Sequence, residues 1–261
     1  CMHHLFLGLL PESLVHAPYQ PVFREAIRIP ADSVGVHAGE GAEMLWLPLI
    51  AGFVGADTVG GLLATRLGEE EPLTLLIDIG TNGELVLGNR DRRIACSTAA
   101  GPALEGAKIS CGMRGADGAI EHVQVENGQL RCQVIGGGRA VGICGSGLID
   151  ALASLLEVGA LDESGRLEGN GQQDGQPVYY LTQPDAEGPG VSLSQRDIRE
   201  VQLAKGAIAA GIHLLAERLE VRLEDVERVY LAGAFGTYLN PESACRIGLI
   251  PGELRGRLQA V

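Results

Sequence analysis

Residues 73–87 run from an apolar stretch, LTLLI, through Asp78 and Gly80-Thr81-Asn82-Gly83 into a second apolar stretch ending at Leu87. An apolar run broken by Gly and Asn and then resumed predicts a β-hairpin. A second hairpin is predicted over residues 119–135, where AIEHVQVENGQLRCQVI alternates about Asn127-Gly128. Helical spacing is clearest over residues 194–219. Ser194 and Asp197 set up an N-terminus, and Val201, Ala204, Ile208, Ile212, Leu215 and Leu219 recur at the helical period. Shorter helices are predicted over 58–67, closed by Gly68, and over 103–109, after the Gly101-Pro102 turn. Another follows Gly145-Ser146-Gly147 with an apolar face of Leu148, Ile149, Leu152, Leu155 and Leu156, and a last one opens at Asn240-Pro241. Residues 43–53, 178–181 and 229–231 read as strands, the last broken by the glycines of AGAFG. Residues 1–10 suit a helical turn or a core strand, Pro11, Pro18, Pro21 and Pro30 make the next stretch loop-like, and residues 162–190 form a polar surface excursion.

Composition narrows the class. The chain has 261 residues, 46% hydrophobic and 20% charged, with 38 glycines, enough for one large core or two packed subdomains. A net charge of -13 without basic runs argues against nucleic acid or an anionic membrane as partner. The most apolar stretch, residues 45–55, is too short and too rich in Pro and Gly to span a bilayer, and with no secretory signal ahead of it a cytoplasmic location is expected. The six cysteines include no C-x-x-C pair, so neither a zinc nor a cluster motif is visible. His3 and His4 are neighbours that cannot share a face of one element, which favours a core or surface role over metal ligation.

Candidate chemistry concentrates at the first hairpin. Asp78 ends a buried strand, where an unpaired carboxylate is costly, and the residues after it offer closely spaced N–H groups and a hydroxyl. That set suits a phosphate with its Mg²⁺, which takes one or two carboxylates and keeps waters. A tight hairpin with a merely polar tip is the other reading. Asp57 is either the N-cap of the 58–67 helix or an acid presented towards the hairpin tip. Gly101-Pro102 puts a helix start, hence an anion site, just after the hairpin. Gly145-Ser146-Gly147 is a strand-to-helix turn that serves either a ligand or close packing, and Lys205 beside the long apolar stripe reads by itself as solvated.

Taken together, DIGTNGE, STAAGPALEGAKI, ICGSGLID, RDIREVQLAKGAI and VYLAGAFGTYL resemble the reductive activators of corrinoid proteins. These are ATPases of the superfamily of actin, sugar kinases and heat-shock chaperones, and the resemblance covers nearly the whole chain. It implies an α/β fold of ribonuclease-H-like subdomains, mixed sheets flanked by helices, with ATP in the cleft. Residues 1–72 would belong to the first subdomain, with a connecting helix at 56–68. Residues 73–240 would form the second, and 241–261 a C-terminal return segment.

The resemblance also implies roles. Asp78 would hold Mg²⁺ through water, Gly80, Thr81, Asn82 and Gly83 would contact phosphate, and Asp57 would orient the attacking water or the metal. Gly101, Pro102 and Glu105 would lie near the ribose and phosphates. Gln202 and Lys205 would face adenosine, together with Gly233, Ala234, Phe235 and Gly236, Ala234 standing where the family commonly has glycine. Only one D-x-G-T occurs, so the first phosphate hairpin and the family's iron–sulfur domain are expected ahead of Cys1. The expected function is that of an ATP-binding module, inactive alone, in a protein that returns Co(II) corrinoid proteins to Co(I). A corrinoid protein and a second copy of the chain are the expected partners. A docking module with an incomplete nucleotide site is the alternative, and a small-molecule kinase a weaker one.

Overall fold

The computed structural model describes residues 2–233, 236 and 238–261. The first part of the chain holds helix α1 (Met2–Phe6), an antiparallel pair of strands β1 (Ile27–Pro30) and β2 (Glu43–Trp46), and helix α2 (Ala56–Thr65). His4 is fully buried and its Nε2 accepts the Val22 amide at 2.9 Å, a core role that requires a neutral imidazole. Strands β3 (Thr74–Ile79), β4 (Gly83–Gly88) and β5 (Arg93–Thr98) then form a meander. Strands β6 (Ala119–Glu126) and β7 (Gln129–Val134) form the second hairpin, with Asn127 and Gly128 at φ 52° and 75°, the left-handed turn that strand twist favours.

Strand β8 (Gly142–Ile143) leads into helix α3 (Gly145–Glu157), whose first eleven residues are all buried. Gly147 is needed there, because a Cβ would stand 2.2 Å from the Ile120 carbonyl oxygen. Strands β9 (Gly171–Gln173), β10 (Gln176–Thr182) and β11 (Val191–Ser194) make a small antiparallel sheet, so the polar excursion has more structure than its composition suggests. Helix α4 (Gln195–Leu219), strand β12 (Arg228–Ala232), helix α5 (Pro241–Arg246) and strand β13 (Leu258–Ala260) complete the chain.

The central sheet has the order β13-β12-β3-β4-β5, with β13, β12 and β3 parallel and the meander antiparallel. Both faces are covered. Leu75, Ile77, Ile79, Leu85 and Leu87 point into the main core with Val201, Ala204, Ile208 and Ile212 of α4. Leu76 and Val86 point the other way, beneath Leu62 and Leu67 of the α2 segment. Burial on both faces is why β3 reads as a continuous apolar run.

Two predicted helices differ from the structure. Residues 103–109 form consecutive turns, with Glu105 bonded to the Pro102 carbonyl and Gly106 to that of Ala103. Gly106 sits at φ +79°, where helix cannot continue, and packs backbone to backbone on Gly112 and Met113, so no helix start lies at Gly101, Pro102 and Glu105. Helix α2 begins at Gly55 as N-cap, which puts Asp57 inside the first turn, and ends at Arg66 in the left-handed conformation, short of Gly68. Strand β13 was not foreseen, since three residues carry no periodicity.

Asp197 ties two distant segments together. Fully buried, it accepts the Ser194 amide (2.8 Å) and hydroxyl (2.7 Å) on one oxygen and the Ser110 amide (2.8 Å) and hydroxyl (3.1 Å) on the other. The capping box of α4 thereby anchors the turn segment that follows β5. Asp197→Ala leaves these donors without an acceptor and is expected to cost about 2–4 kcal/mol, read as a lower urea midpoint at unchanged slope.

Candidate functional site

The alternation of the central strands builds two rows on the α2 face of the sheet. One is apolar: Tyr230, Leu76, Val86 and Ala95 occupy neighbouring register positions beneath α2. The next, at the carboxyl ends of the parallel strands β12 and β3, reads Ala232, Asp78, Glu84 and Ser97. Ligands of open α/β sheets bind outside such strand ends. Gly61 of α2 lies against Leu76, so the start of this helix, one turn earlier, comes over the second row.

Both row acids are half-buried, whereas Asp57 is exposed and its Oδ1 accepts the Thr58 amide at 2.8 Å. Burial first, and the Asp57 carboxylate second, hold Asp78 above the usual carboxylate range. Burial also raises Glu84, with smaller contributions from Asp57 and Asp78, against the Ser97 hydroxyl bond (3.0 Å), which lowers it. Among the described residues no cation pairs with these acids, and no three metal-binding side chains converge closely enough to hold a bare ion.

Gly233 closes the row on the β12 side. It takes φ +85°, and a Cβ there would lie 2.5 Å from Asp78 Oδ1 and 2.8 Å from the Ile79 carbonyl oxygen. Only glycine allows β12 to turn away so close to the carboxylate. At the hairpin tip, Gly80 donates its amide to the Asn82 carbonyl (2.9 Å), so this N–H serves the turn. Thr81 and Asn82 are exposed, Gly83 is buried, and the Thr81 hydroxyl donates to Glu105 Oε1 at 2.6 Å. The turn segment holding Gly101 (φ +73°), Pro102 and Glu105 thus reaches the hairpin tip without a helix.

Gln202 and Lys205 lie elsewhere. They line a cavity of about 240 Å³ between α3, α4 and the end of α5, with Leu152, Leu156, Ile198 and Gly248, and none of the hairpin residues borders it. Gln202 donates to the Ser164 carbonyl (3.0 Å) and Lys205 to that of Ile247, while burial holds the lysine below its usual range. Gly236 is buried; Ala234 and Phe235 lie outside the described residues. Sequence reasoning singled out Asp78 and Asp57 but gave no role to Glu84, Ser97 or Thr58. The signal for Glu84 was present: a three-residue turn, 80–82, returns Glu84 opposite Asp78 on the same face.

Asp78→Asn is expected to raise the melting temperature by about 2–4 °C near pH 8. An acid whose folded-state proton affinity is raised contributes stability that is present below its ordinary pKa and lost as pH rises through the raised value. Asparagine escapes that loss, so the gain should shrink towards about pH 4.5. Thermal melts of both proteins across that range check the sign.

A family model described as the C-terminal domain of RACo, the ASKHA domain, matches residues 72–261, and one described as the RACo middle region matches residues 1–70. A corrinoid activation enzyme, RamQ, of Eubacterium limosum is 39% identical over 96% of this chain and 44% of its own length. A [Co(II) methylated amine-specific corrinoid protein] reductase of Methanosarcina barkeri is 32% identical over 91% of this chain and 46% of its own. The solved structure of a reductive activator for corrinoid, iron-sulfur protein superposes with a TM-score of 0.88 at 36% identity, covering all of this chain and 43% of that one. The chain spans less than half the length of each of these relatives. With models of that family matching residues 1–70 and 72–261 and the actin-like sheet in place, the chain belongs to the RACo family of corrinoid-protein activators.

Proposed function

We propose that this chain is the nucleotide-binding module of a protein that restores Co(II) corrinoid proteins to Co(I), with ATP and Mg²⁺ held at the hairpin of β3 and β4. The observation that carries the reading is the acid row at the strand ends, closed by Gly233 against Asp78, in a chain whose relatives are named for corrinoid activation. The residues fit the cofactor. Two half-buried carboxylates without a cation beside them, and without a third metal-binding side chain among the described residues, suit a metal that keeps its waters. The glycine surface beside Asp78 leaves room that a side chain would fill.

In this reading Asp78 would hold Mg²⁺ through its waters, and the ion would supply charge neutralisation at the phosphates. Gly80, Thr81, Asn82 and Gly83 meet phosphate oxygens, the Gly80 amide exchanging its turn bond for one to the ligand. Asp57 orients the water that attacks the γ-phosphorus, and the bond to the bridging oxygen breaks to give ADP and inorganic phosphate. Positioning and charge stabilisation carry such a transfer, with domain closure as the coupled motion. Gly233, Ala234, Phe235 and Gly236 border the adenosine. Gln202 and Lys205 belong to the nucleotide site only if adenosine reaches their separate cavity. The electron that would reduce the partner's Co(II) to Co(I) would come from a reduced iron–sulfur centre outside residues 1–261, since no cysteine pattern here could hold one. A homodimer is the proposed assembly.

Calorimetric titration tests the nucleotide reading. Mg·ATP should bind with an affinity that falls at least about tenfold in Asp78→Asn, in which the metal loses a charged partner. Phosphate release by the complete protein should rise when an oxidised corrinoid protein is added, with no small molecule phosphorylated. Equal affinities for wild type and Asp78→Asn would overturn the assignment of the hairpin. Phosphorylation of a sugar or an organic acid would turn the reading towards a kinase.

A further inference from the structure

The proposed function gives Glu84 no role, yet the fold places it beside Asp78. We infer that Glu84 is a positioning residue for the divalent cation of the nucleotide site, acting with Asp78 through the cation's bound waters. The inference rests on the nucleotide reading above. Three observations support it.

First, Asp78 and Glu84 are direct partners in the antiparallel register of β3 and β4, and like charges in that relation repel across a short gap. Neither acid has a cation beside it among the described residues, so the pair lacks the compensation that half-buried carboxylates usually have. Second, Ser97 on β5 donates to Glu84 Oε1 at 3.0 Å, fixing the carboxylate in the row beside Asp78. Third, Thr58 is fully buried and its hydroxyl is without a partner among the described residues. It precedes Gly61, which lies against Leu76, by one turn, and Asp78 is the next residue of β3 on that face, so Thr58 stands over the acid row. Buried hydroxyls are rarely left unpaired, which makes Thr58 a free donor for a ligand on this face. Mg²⁺, which retains several waters and binds through one or two carboxylates, matches a site that offers two neighbouring acids and no third metal-binding side chain among the described residues.

Mn²⁺ in place of Mg²⁺ makes the cation visible by electron paramagnetic resonance. With saturating ADP, Glu84→Gln should bind Mn²⁺ about 10- to 100-fold more weakly than the wild type and change the Mn²⁺ line shape, while Glu84→Asp recovers part of the affinity. Metal-free ADP binding, measured with a chelator present, should stay within about twofold, because the residue addresses the cation and not the nucleotide. Glu84→Gln should also melt no lower than the wild type, since it removes a like charge, and this separates a cation role from a damaged fold. An unchanged Mn²⁺ affinity in Glu84→Gln overturns the inference and leaves the nucleotide reading standing, whereas a wild type that binds ADP without binding Mn²⁺ overturns the inference together with the metal assignment of Asp78. A wild type that binds neither ADP nor ATP overturns that reading and this inference with it.

Discussion

Two carboxylates side by side in adjacent strands, with no cation to offset them among the described residues, set the terms for the structure around them. Sheet geometry imposes the pairing. A three-residue turn joins β3 to β4, the register makes Asp78 and Glu84 partners, and alternation keeps both on the face that α2 covers. Leu76 and Val86, one step back along the same strands, are buried under Leu62 and Leu67 and hold the helix down. The start of α2 therefore comes over the acids, and Asp57 adds a third negative charge whose influence reaches both. An arrangement that repels itself and costs desolvation is one that binding energy from a cationic ligand can offset.

The surroundings of the row are built to bring the chain close to it. Gly233 lets β12 turn at a distance from Asp78 that no side chain could share. The Thr81 hydroxyl bonds Glu105, which links the hairpin tip to the turn segment after β5, and Asp197 anchors the far end of that segment to the start of α4. Hairpin tip, turn segment and long helix are thus joined by hydrogen bonds, and a displacement at the tip has a path to α4. The Gln202 and Lys205 cavity is separate: both side chains are bonded to backbone carbonyls of neighbouring loops and share no lining residue with the hairpin.

Much of this was legible in the residues, for identifiable reasons. The two hairpins announce themselves because Gly-Thr-Asn-Gly and Asn-Gly interrupt apolar runs, and α4 does so because a capping box precedes an apolar stripe at helical spacing. Asp78 could be singled out because an acid at the end of an apolar run needs a reason. Residues 103–109 misled because their composition suits a helix, whereas Gly106 must approach Gly112 and Met113, a tertiary constraint with no local signature. The start of α2 was set by Gly55 and not by Asp57, although aspartate is the stronger capping residue in isolation. The cavity of Gln202 and Lys205 depends on three helices meeting, which no stretch of sequence reveals. Glu84 lay within reach of sequence reasoning, since the parity of a short turn fixes its face.

The central claim is that nucleotide phosphates and their metal come to the hairpin at the strand ends. Amide hydrogen exchange with and without a non-hydrolysable ATP analogue and Mg²⁺ tests it most directly. The account predicts slower exchange over residues 78–84 and over the turn segment 101–106, with the effect on residues 78–84 lost in Asp78→Asn. Slower exchange confined to the walls of the Gln202 and Lys205 cavity, with the hairpin unaffected, would contradict it.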